Sequence, residues 1–336
     1  MARAAIVFTG GTISMGFDPV AGGNVPTLDG AAILARTPGL ESIAEIVPID
    51  RGLKPASHFT FDDVLAIGRD VQGALDDPAI DGVVVVQGTD TIEETSFAWD
   101  LVLRSSKPVV VTGAMRAPHQ NGFDGPANLR DAVSAAVSPS LRDAGVVVTL
   151  AGTVEPADDV TKLHTSAFTA FGSPNGGTLG RIVDGRVEMA RPRGPRRAIA
   201  TERAERVHLL TAGIGTDGSL LDAAVGVGAD GIVVAATGAG NTSPGWLAAA
   251  ERAMGAGVVV ALASRCPAGA VSTDYAFPGG GGTWVRAGAI RIGALCAIKA
   301  RVALALGLGA GLSHDDLAAL LADPEPLGSS SPQPLG

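Results

Sequence analysis

Short runs of β-branched and other apolar residues, without polar alternation, recur along the chain. In the first half they occupy residues 4–8, 82–86, 108–111 and 146–150. Continuous hydrophobicity over four or five residues is typical of strands that are buried on both faces of a parallel sheet. Similar runs at residues 207–210, 231–236 and 258–263 predict three more parallel strands in the second half.

Segments with helical spacing lie between and after these runs. Residues 61–75 place one set of apolar side chains on a single side of a helix: Val64, Leu65, Ile67, Val71 and Leu75. Thr60, just before them, is a typical N-cap residue, and residues 91–104, 299–308 and 313–322 predict further helices. Alternating strands and helices indicate open sheets with helices on both faces. The predicted fold class is therefore α/β, with two doubly wound domains, a larger N-terminal one and a smaller C-terminal one.

The domain bounds follow from where the apolar pattern stops. Residues 1–190 form the predicted N-terminal domain and residues 207–326 the C-terminal domain. Residues 191–206 are charged, contain proline and lack apolar periodicity, so they are predicted to be the linker. The basic stretch at its start, residues 191–197, is interpreted as an exposed connector. Residues 327–336 are rich in serine and proline and are predicted to be a disordered tail.

Composition narrows the class of protein. The 336 residues suit two domains, and although 46% are hydrophobic, no uninterrupted apolar run has the length of a membrane helix. The N-terminal residues lead directly into a strand, without the pattern of a signal peptide, which favours the cytoplasm. A net charge of −9 argues against nucleic acid as a partner. The two cysteines show no metal-binding spacing and are interpreted as buried, unpaired thiols, so neither a metal nor a cofactor is expected.

Four predicted strands of the first half are followed by turns that combine glycine with polar side chains. The turns are residues 9–14, 87–91, 112–116 and 151–153. In open α/β sheets, ligands bind beyond the carboxyl ends of the strands, and glycine allows the backbone to approach them closely. Each turn taken alone is compatible with simple helix capping. Nucleotide binding is disfavoured because neither GxGxxG nor a P-loop is present.

Five motifs in the same order resemble those of the bacterial L-asparaginases and glutaminase-asparaginases. They are TGGTI at 9–13, GTDTIEET at 88–95, TGAMR at 112–116, DVTK at 159–162 and KAR at 299–301. They span nearly the whole chain. The resemblance implies hydrolysis of a small side-chain amide, L-asparagine to L-aspartate and ammonia in the first place, through an acyl-enzyme on a threonine.

The resemblance also implies roles for individual residues. Thr12 would be the nucleophile, and Thr89 the second threonine, close to Lys162. Asp90 would bind the α-ammonium group of the substrate. Threonine is a poor nucleophile without a base, and a lysine serves as one only in its neutral form, which burial favours. Lys162 is therefore the expected base.

The remaining predicted substrate-binding residues lie in several loops. Gly11 and Gly88 would donate backbone N–H groups to the oxyanion, while Ser57 and Ala114 would line the pocket. The resemblance further implies a homodimer or homotetramer with shared active sites, in which Asn241 and Ser243 come from a neighbouring subunit.

Two positions depart from the family pattern. Family members carry a tyrosine on a lid about a dozen residues after the first threonine, but residues 16–26, interpreted as a loop, have none, and the one tyrosine is Tyr275. A serine that would bind the α-carboxylate is replaced by Ala56, so either Ser57 or His58 beside it takes over that role, or the substrate lacks a free α-carboxylate. Three hypotheses stay open: an asparaginase or glutaminase-asparaginase; a related hydrolase of another small amide or lactam; and a non-catalytic or amidotransferase-type subunit.

Overall fold

The computed structural model describes residues 1–323, so the predicted tail at 327–336 lies outside the described residues. The strands are β1 Arg3–Phe8, β2 Met15–Asp18, β3 Gly23–Pro26, β4 Glu45–Asp50, β5 Gly82–Val86, β6 Val109–Thr112, β7 Val146–Leu150, β8 Thr153–Pro156, β9 Thr161–Lys162, β10 Phe171–Gly172, β11 Gly180–Val183, β12 Arg186–Met189, β13 Val207–Thr211, β14 Gly231–Ala236, β15 Val259–Ser264 and β16 Ile290–Arg291. The helices are α1 Gly30–Ala35, α2 Phe61–Asp76, α3 Ile92–Val102, α4 Gly125–Ala136, α5 Ser219–Gly226, α6 Pro244–Gly255, α7 Gly281–Arg286, α8 Ala297–Gly309 and α9 His314–Leu321.

The larger sheet has eight strands in the order β12-β11-β8-β7-β6-β5-β1-β4. Strands β4, β1, β5, β6 and β7 are parallel, whereas β8, β11 and β12 add antiparallel pairs at one edge. The four sequence-predicted strands are its buried centre. Because their side chains alternate between two faces, Ala5 and Val7 pack in one hydrophobic cluster with α2 and α3, while Ile6 and Phe8 pack in a second cluster with α4.

The smaller sheet has the order β13-β14-β15-β16 and is parallel throughout. Helix α8 packs against β13 and β14 on one face and also against α3 of the larger unit. Helices α5 and α6 pack together on the opposite side of this sheet, around a third hydrophobic cluster that contains Trp246. The α/β class and the division into a larger N-terminal and a smaller C-terminal part are confirmed, while the residue limits proposed for the domains stay a prediction.

Several details differ from the sequence predictions. The larger sheet is mixed rather than purely parallel, because the β-hairpin of β11 and β12 closes one edge against β8. Residues 16–26 are a hairpin of β2 and β3 rather than a loop. Cys266 is exposed and Cys296 half-buried, so the interpretation of two buried thiols was wrong. Within residues 1–323, no helix combines the length and the hydrophobicity that crossing a membrane requires.

The basic connector is anchored rather than exposed. Only 6% of the Arg193 side chain is exposed, and its guanidinium lies 2.8 Å from Asp100 Oδ2 and 3.0 Å from Asp158 Oδ1. Arg193 Nη1 also donates to the carbonyl oxygens of Ala144 and Val146, at 2.7 and 3.0 Å. Prolines and glycine shape this stretch, but its arginines satisfy buried acceptors, which an inspection of composition alone does not reveal.

Candidate active site

The glycine turn at residues 9–14 packs directly against the turn at residues 87–91 through backbone contacts. Strands β1 and β5 are neighbours, and the Thr9 N–H donates to the Val86 carbonyl at 3.0 Å. Gly11 has φ +100°, and a Cβ there would lie 2.2 Å from the Gly88 nitrogen, so only glycine fits. Thr12 then begins a 3₁₀ turn, Thr12–Ser14, whose first N–H groups lack acceptors within the turn.

Thr89 occupies the corresponding position after β5. It begins the 3₁₀ turn Thr89–Thr91 and is 4% exposed. The next strand, β6, brings Gly113 and the buried Ala114 to the same edge, where a Cβ at Gly113 would lie 3.3 Å from the Thr89 methyl group. The turns of three neighbouring parallel strands therefore meet around Thr89.

Lys162 reaches this edge from β9, a two-residue strand that pairs with β10. Its Nζ lies 2.9 Å from Thr89 Oγ1 and 2.9 Å from Asp90 Oδ1. The Lys162 side chain is 14% exposed, whereas the Asp90 side chain is 70% exposed. The lysine thus lies beneath the threonine hydroxyl, and the aspartate faces solvent, where it can meet a ligand.

Glu93 is a site residue that sequence reasoning missed. Its Oε2 accepts the backbone N–H of Lys162 at 3.3 Å. Burial raises the pKa of the Glu93 carboxyl above its usual value, and the positive charges of Lys299 and Lys162 oppose that shift. The GTDTIEET motif contains Glu93, but only the fold shows that its partner is 69 residues away.

A second missed pair, Asp124 and Asn128, fixes the segment that carries Ala114. Asp124 accepts the N–H groups of Met115 and Arg116, each at 2.9 Å. Asn128 donates to the Gly113 carbonyl at 3.0 Å. Both residues lie at the start of α4, so this helix holds the turn after β6 against Thr89.

The segment around Ser57 lies beside the second turn. Ala56 is buried, and its carbonyl accepts the Thr91 hydroxyl at 3.2 Å. A Cβ placed at Gly88 would lie 3.0 Å from the Ala56 Cβ. Ser57 and His58 are exposed beside this contact, so the position next to the turn is filled by a methyl group, with hydroxyl and imidazole donors at its rim.

Within a single chain, Asn241 and Ser243 do not contact Thr89, Asp90 or Lys162. In the described residues, Asn241 Oδ1 accepts from the Gly281 N–H at 3.4 Å, and Ser243 Oγ contacts the Thr216 carbonyl at 3.4 Å. Both contacts stay within the smaller unit. The β2–β3 hairpin directly follows the Thr12–Ser14 turn, and its exposed Phe17 ring lies edge-to-face with His119, at 6.1 Å between ring centroids.

The arrangement has the parts of an acyl-transfer site. A hydroxyl on a glycine turn, a second hydroxyl bonded to a mostly buried amine, and a solvent-facing carboxylate lie at the carboxyl edge of a parallel sheet. Among residues 1–323, no group of three or more His, Cys, Asp or Glu side chains is placed to hold a metal ion. Fold and site together are those expected of an amide-hydrolysing enzyme with an α/β fold.

Comparison with known proteins identifies the family. Residues 3–194 match the family profile "Asparaginase, N-terminal", and residues 206–321 match "Glutaminase/Asparaginase C-terminal domain". The chain belongs to the asparaginase family, whose members are amidohydrolases that act on carbon–nitrogen bonds.

Similar proteins cover the chain almost end to end. A probable L-asparaginase of Deinococcus radiodurans is 36% identical over 330 residues, which cover 94% of this chain and 95% of the relative. An L-asparaginase of Bacillus licheniformis is 32% identical over 313 residues, covering 90% and 94% of the two chains. The crystal structure of a probable cytoplasmic L-asparaginase from Campylobacter jejuni matches with a TM-score of 0.85 and 29% identity, covering 96% of this chain and 99% of that one.

Proposed function

We propose that the protein hydrolyses L-asparagine to L-aspartate and ammonia. The observation that carries this proposal is the position of Lys162 Nζ, 2.9 Å from both Thr89 Oγ1 and Asp90 Oδ1. One amine is thereby shared between a hydroxyl that can move a proton and a carboxylate that can bind a substrate cation. Free asparagine provides such a cation, and relatives with that activity in their names cover the chain.

Substrate binding would prepare the base. In the free protein, Asp90 pairs with Lys162. When the α-ammonium group of asparagine binds the exposed Asp90 carboxylate, it competes with Lys162 for that partner and leaves the amine its 2.9 Å contact with Thr89 Oγ1. Lys162 in its neutral form then accepts a proton through the Thr89 hydroxyl.

The chemical steps follow from Thr12 as nucleophile. Its Oγ attacks the side-chain amide carbon, and its proton passes to the Thr89–Lys162 pair. Backbone N–H groups of the Gly11 and Gly88 turns would donate hydrogen bonds to the oxyanion. Ala114 would line the pocket beside the Gly88 turn. The proton returns to the departing nitrogen as the C–N bond breaks and ammonia leaves. Water then gives a proton to the same pair and attacks the ester carbon, the bond to Thr12 Oγ1 breaks, the proton passes to that oxygen, and aspartate is released.

Ammonia release from L-Asn, D-Asn, L-Gln and a panel of small amides and lactams tests the proposal. Thr12→Ala and Thr89→Val are the active-site variants. Thr201→Val, which removes a connector hydroxyl bonded to the Arg203 carbonyl, is the matched control. We expect turnover of L-Asn that both active-site variants lose by about 10³-fold or more, with the control unchanged. Full activity in Thr12→Ala would refute the role of Thr12 as nucleophile, and no turnover of any amide would refute the proposed hydrolytic activity.

A different small amide or lactam is the second candidate. The buried Ala56 methyl group lies beside Gly88, where a carboxylate-binding hydroxyl would otherwise be available. An alanine side chain offers no donor to a carboxylate. If this candidate is right, the panel shows a better substrate without an α-carboxylate, and Ser57→Ala leaves turnover unchanged. If Ser57 binds the α-carboxylate of asparagine, Ser57→Ala instead raises KM for L-Asn.

We further propose that active sites are shared within a homodimer or homotetramer. This is supported by the position of Asn241 and Ser243, whose hydrogen bonds lie within the smaller unit of the described chain rather than at the Thr89 site. Light scattering gives the oligomeric state. Mixing inactive Thr12→Ala subunits with Asn241→Ala subunits should restore part of the activity, because some sites then receive both native residues. A fully active monomer would contradict this.

A cytoplasmic location is proposed as well. It is supported by the similarity to the Campylobacter jejuni protein, which is described as a probable cytoplasmic L-asparaginase. A relative from Haemophilus influenzae, 36% identical over 235 residues, carries a periplasmic name instead. Fractionation of the source cells, with ammonia release from L-Asn in each fraction, distinguishes the two compartments.

A further inference from the structure

The lysine of the C-terminal KAR motif is completely buried and reaches into the other half of the molecule. Lys299 lies on α8 and is 0% exposed. Its Nζ donates to the backbone carbonyl of Val160, which is its hydrogen-bond partner within residues 1–323. Val160 is two residues before Lys162. A full charge buried in this way is costly unless it is matched by a partner. The burial of Lys299 therefore indicates a specific role for its amine.

Glu93 approaches the same short segment from α3. Its carboxylate accepts the Lys162 N–H at 3.3 Å, while Lys299 and Lys162 supply positive charge around it. Lys299 and Glu93 therefore hold residues 160–162 from two sides, one through a carbonyl and the other through an N–H. Strand β9 has only two residues and pairs with the equally short β10, so it has few backbone bonds of its own.

A neighbouring ion pair joins the same two helices without touching that segment. Arg301 on α8 lies 3.5 Å from Glu94 Oε2 on α3, with 31% and 23% of the two side chains exposed. It also lies over the Phe61 ring, 5.4 Å from its centroid. The Arg301–Glu94 pair thus ties the larger and smaller units together as Lys299 does, but has no bond to residues 160–162.

We propose that Lys299 and Glu93 are positioning residues that clamp residues 160–162, so that the seating of the C-terminal helix α8 on α3 sets where the Lys162 amine stands relative to Thr89. The proposal rests on the proposed function, in which Lys162 moves the proton. The clamp acts on the backbone at Val160 and Lys162, leaving the lysine side chain free for Thr89 and Asp90. A displacement of about 1 Å in such a group lowers turnover by about 100-fold.

Four variants test the clamp. Lys299→Met removes the bond to Val160 but keeps the apolar stem, and Arg301→Met is its control on the same helix. Glu93→Ala removes the acceptor for the Lys162 N–H, whereas Glu93→Gln retains one and should restore most of the turnover. We expect Lys299→Met and Glu93→Ala to lower kcat for L-Asn by about 10- to 100-fold with little change in KM, and Arg301→Met to lower only the melting temperature.

Turnover measured well below the unfolding temperature separates positioning from simple destabilisation. A loss of stability alone leaves kcat unchanged at such temperatures, whereas a displaced Lys162 amine lowers kcat there. Equal losses of kcat in Lys299→Met and Arg301→Met, or turnover within twofold of the native value in both Lys299→Met and Glu93→Ala, would overturn the proposal.

A readout independent of activity covers the case in which the proposed function fails. The rate at which an amine-reactive reagent acetylates Lys162 is followed by mass spectrometry in each variant. A Lys162 side chain that is 14% exposed in the clamped state should react several-fold faster in Lys299→Met and Glu93→Ala, but not in Arg301→Met. Unchanged labelling in all variants rejects the clamp even if no substrate is found, whereas faster labelling without any turnover rejects only the proposed function.

Discussion

Replacing Arg193 by methionine should destabilise the protein severely, although the residue lies in what composition suggests is an exposed connector. The change removes the charge of a side chain that is only 6% exposed and leaves four acceptors facing the gap. These are the carboxylates of Asp100 and Asp158, the carbonyl of Ala144 just before β7 and the carbonyl of Val146 at its start. Asp100 is 3% exposed.

The magnitude follows from what remains paired. Asp100 Oδ1 keeps the Val146 N–H at 2.8 Å and Arg196 Nε at 3.0 Å, but Oδ2 loses its 2.8 Å contact with Arg193. A buried ion-pair partner left wholly uncompensated costs about 3–5 kcal/mol, and because Asp100 keeps Arg196 we expect the lower end of this range, about 3 kcal/mol. For units of this size, that corresponds to a fall in melting temperature of about 6–12 °C.

Calorimetry or denaturant unfolding of Arg193→Met measures the loss. Arg203→Met is the control, because Arg203 forms a 3.4 Å pair with Glu205 while 73% exposed, and such pairs contribute within about 1 kcal/mol. Arg193→Lys keeps the charge but not the planar fork that meets four acceptors, so it should recover only part of the loss. An Arg193→Met protein as stable as the Arg203→Met control would refute the reasoning that the connector is a buried anchor.

Three further outcomes are expected. Gly11→Ala should lower kcat/KM for L-Asn by about 100-fold, since its Cβ would lie 2.2 Å from the Gly88 nitrogen; unchanged kinetics would show that the turn shifts freely. Burial raises the pKa of Glu155 above its ordinary 4.5, so the folded state binds this proton more tightly than the unfolded state. The folded state therefore loses stability as pH rises from about 4.5 through the raised pKa. Glu155→Gln should lack this loss, and parallel curves of unfolding free energy against pH for the two proteins would contradict the assignment. Thr60→Ala should cost about 1 kcal/mol, because Thr60 and Asp63 form the capping box of α2, while kcat stays unchanged; a melting temperature equal to that of the native protein would exclude the cap as a source of stability.

The central strands of each sheet could be predicted from sequence, because a strand buried on both faces appears as an uninterrupted run of apolar residues. Strand β5 is buried at every residue and coincides with the predicted run at 82–86. Strand β4 was not predicted, because it lies at the sheet edge, is partly exposed and contains Pro48, and proline is tolerated in edge strands but atypical of central ones. The small strands β9 and β10 leave no pattern that could be recognised.

The candidate site divides in a similar way. The turns that carry Thr12 and Thr89 follow buried strands, so their meeting at one edge of the sheet could be expected from the sequence. The contact of Lys162 with Thr89 rested on the family resemblance alone. Glu93 and Lys299 were not predicted in their roles, because a buried charge is matched by whichever partner the tertiary fold brings near, and no local pattern records that choice.

The bond between Lys299 and Val160 spans 139 residues, and this has a consequence for synthesis on the ribosome. Chains emerge from the N-terminus, and domains fold as units as they appear. The large sheet, with Thr12, Thr89 and Lys162, is complete long before residue 299 is made. In a clamped site, the Lys162 amine is fixed only when α8 arrives, so under the proposed mechanism a nascent or truncated chain acquires the proposed nucleophile early and a correctly placed base last.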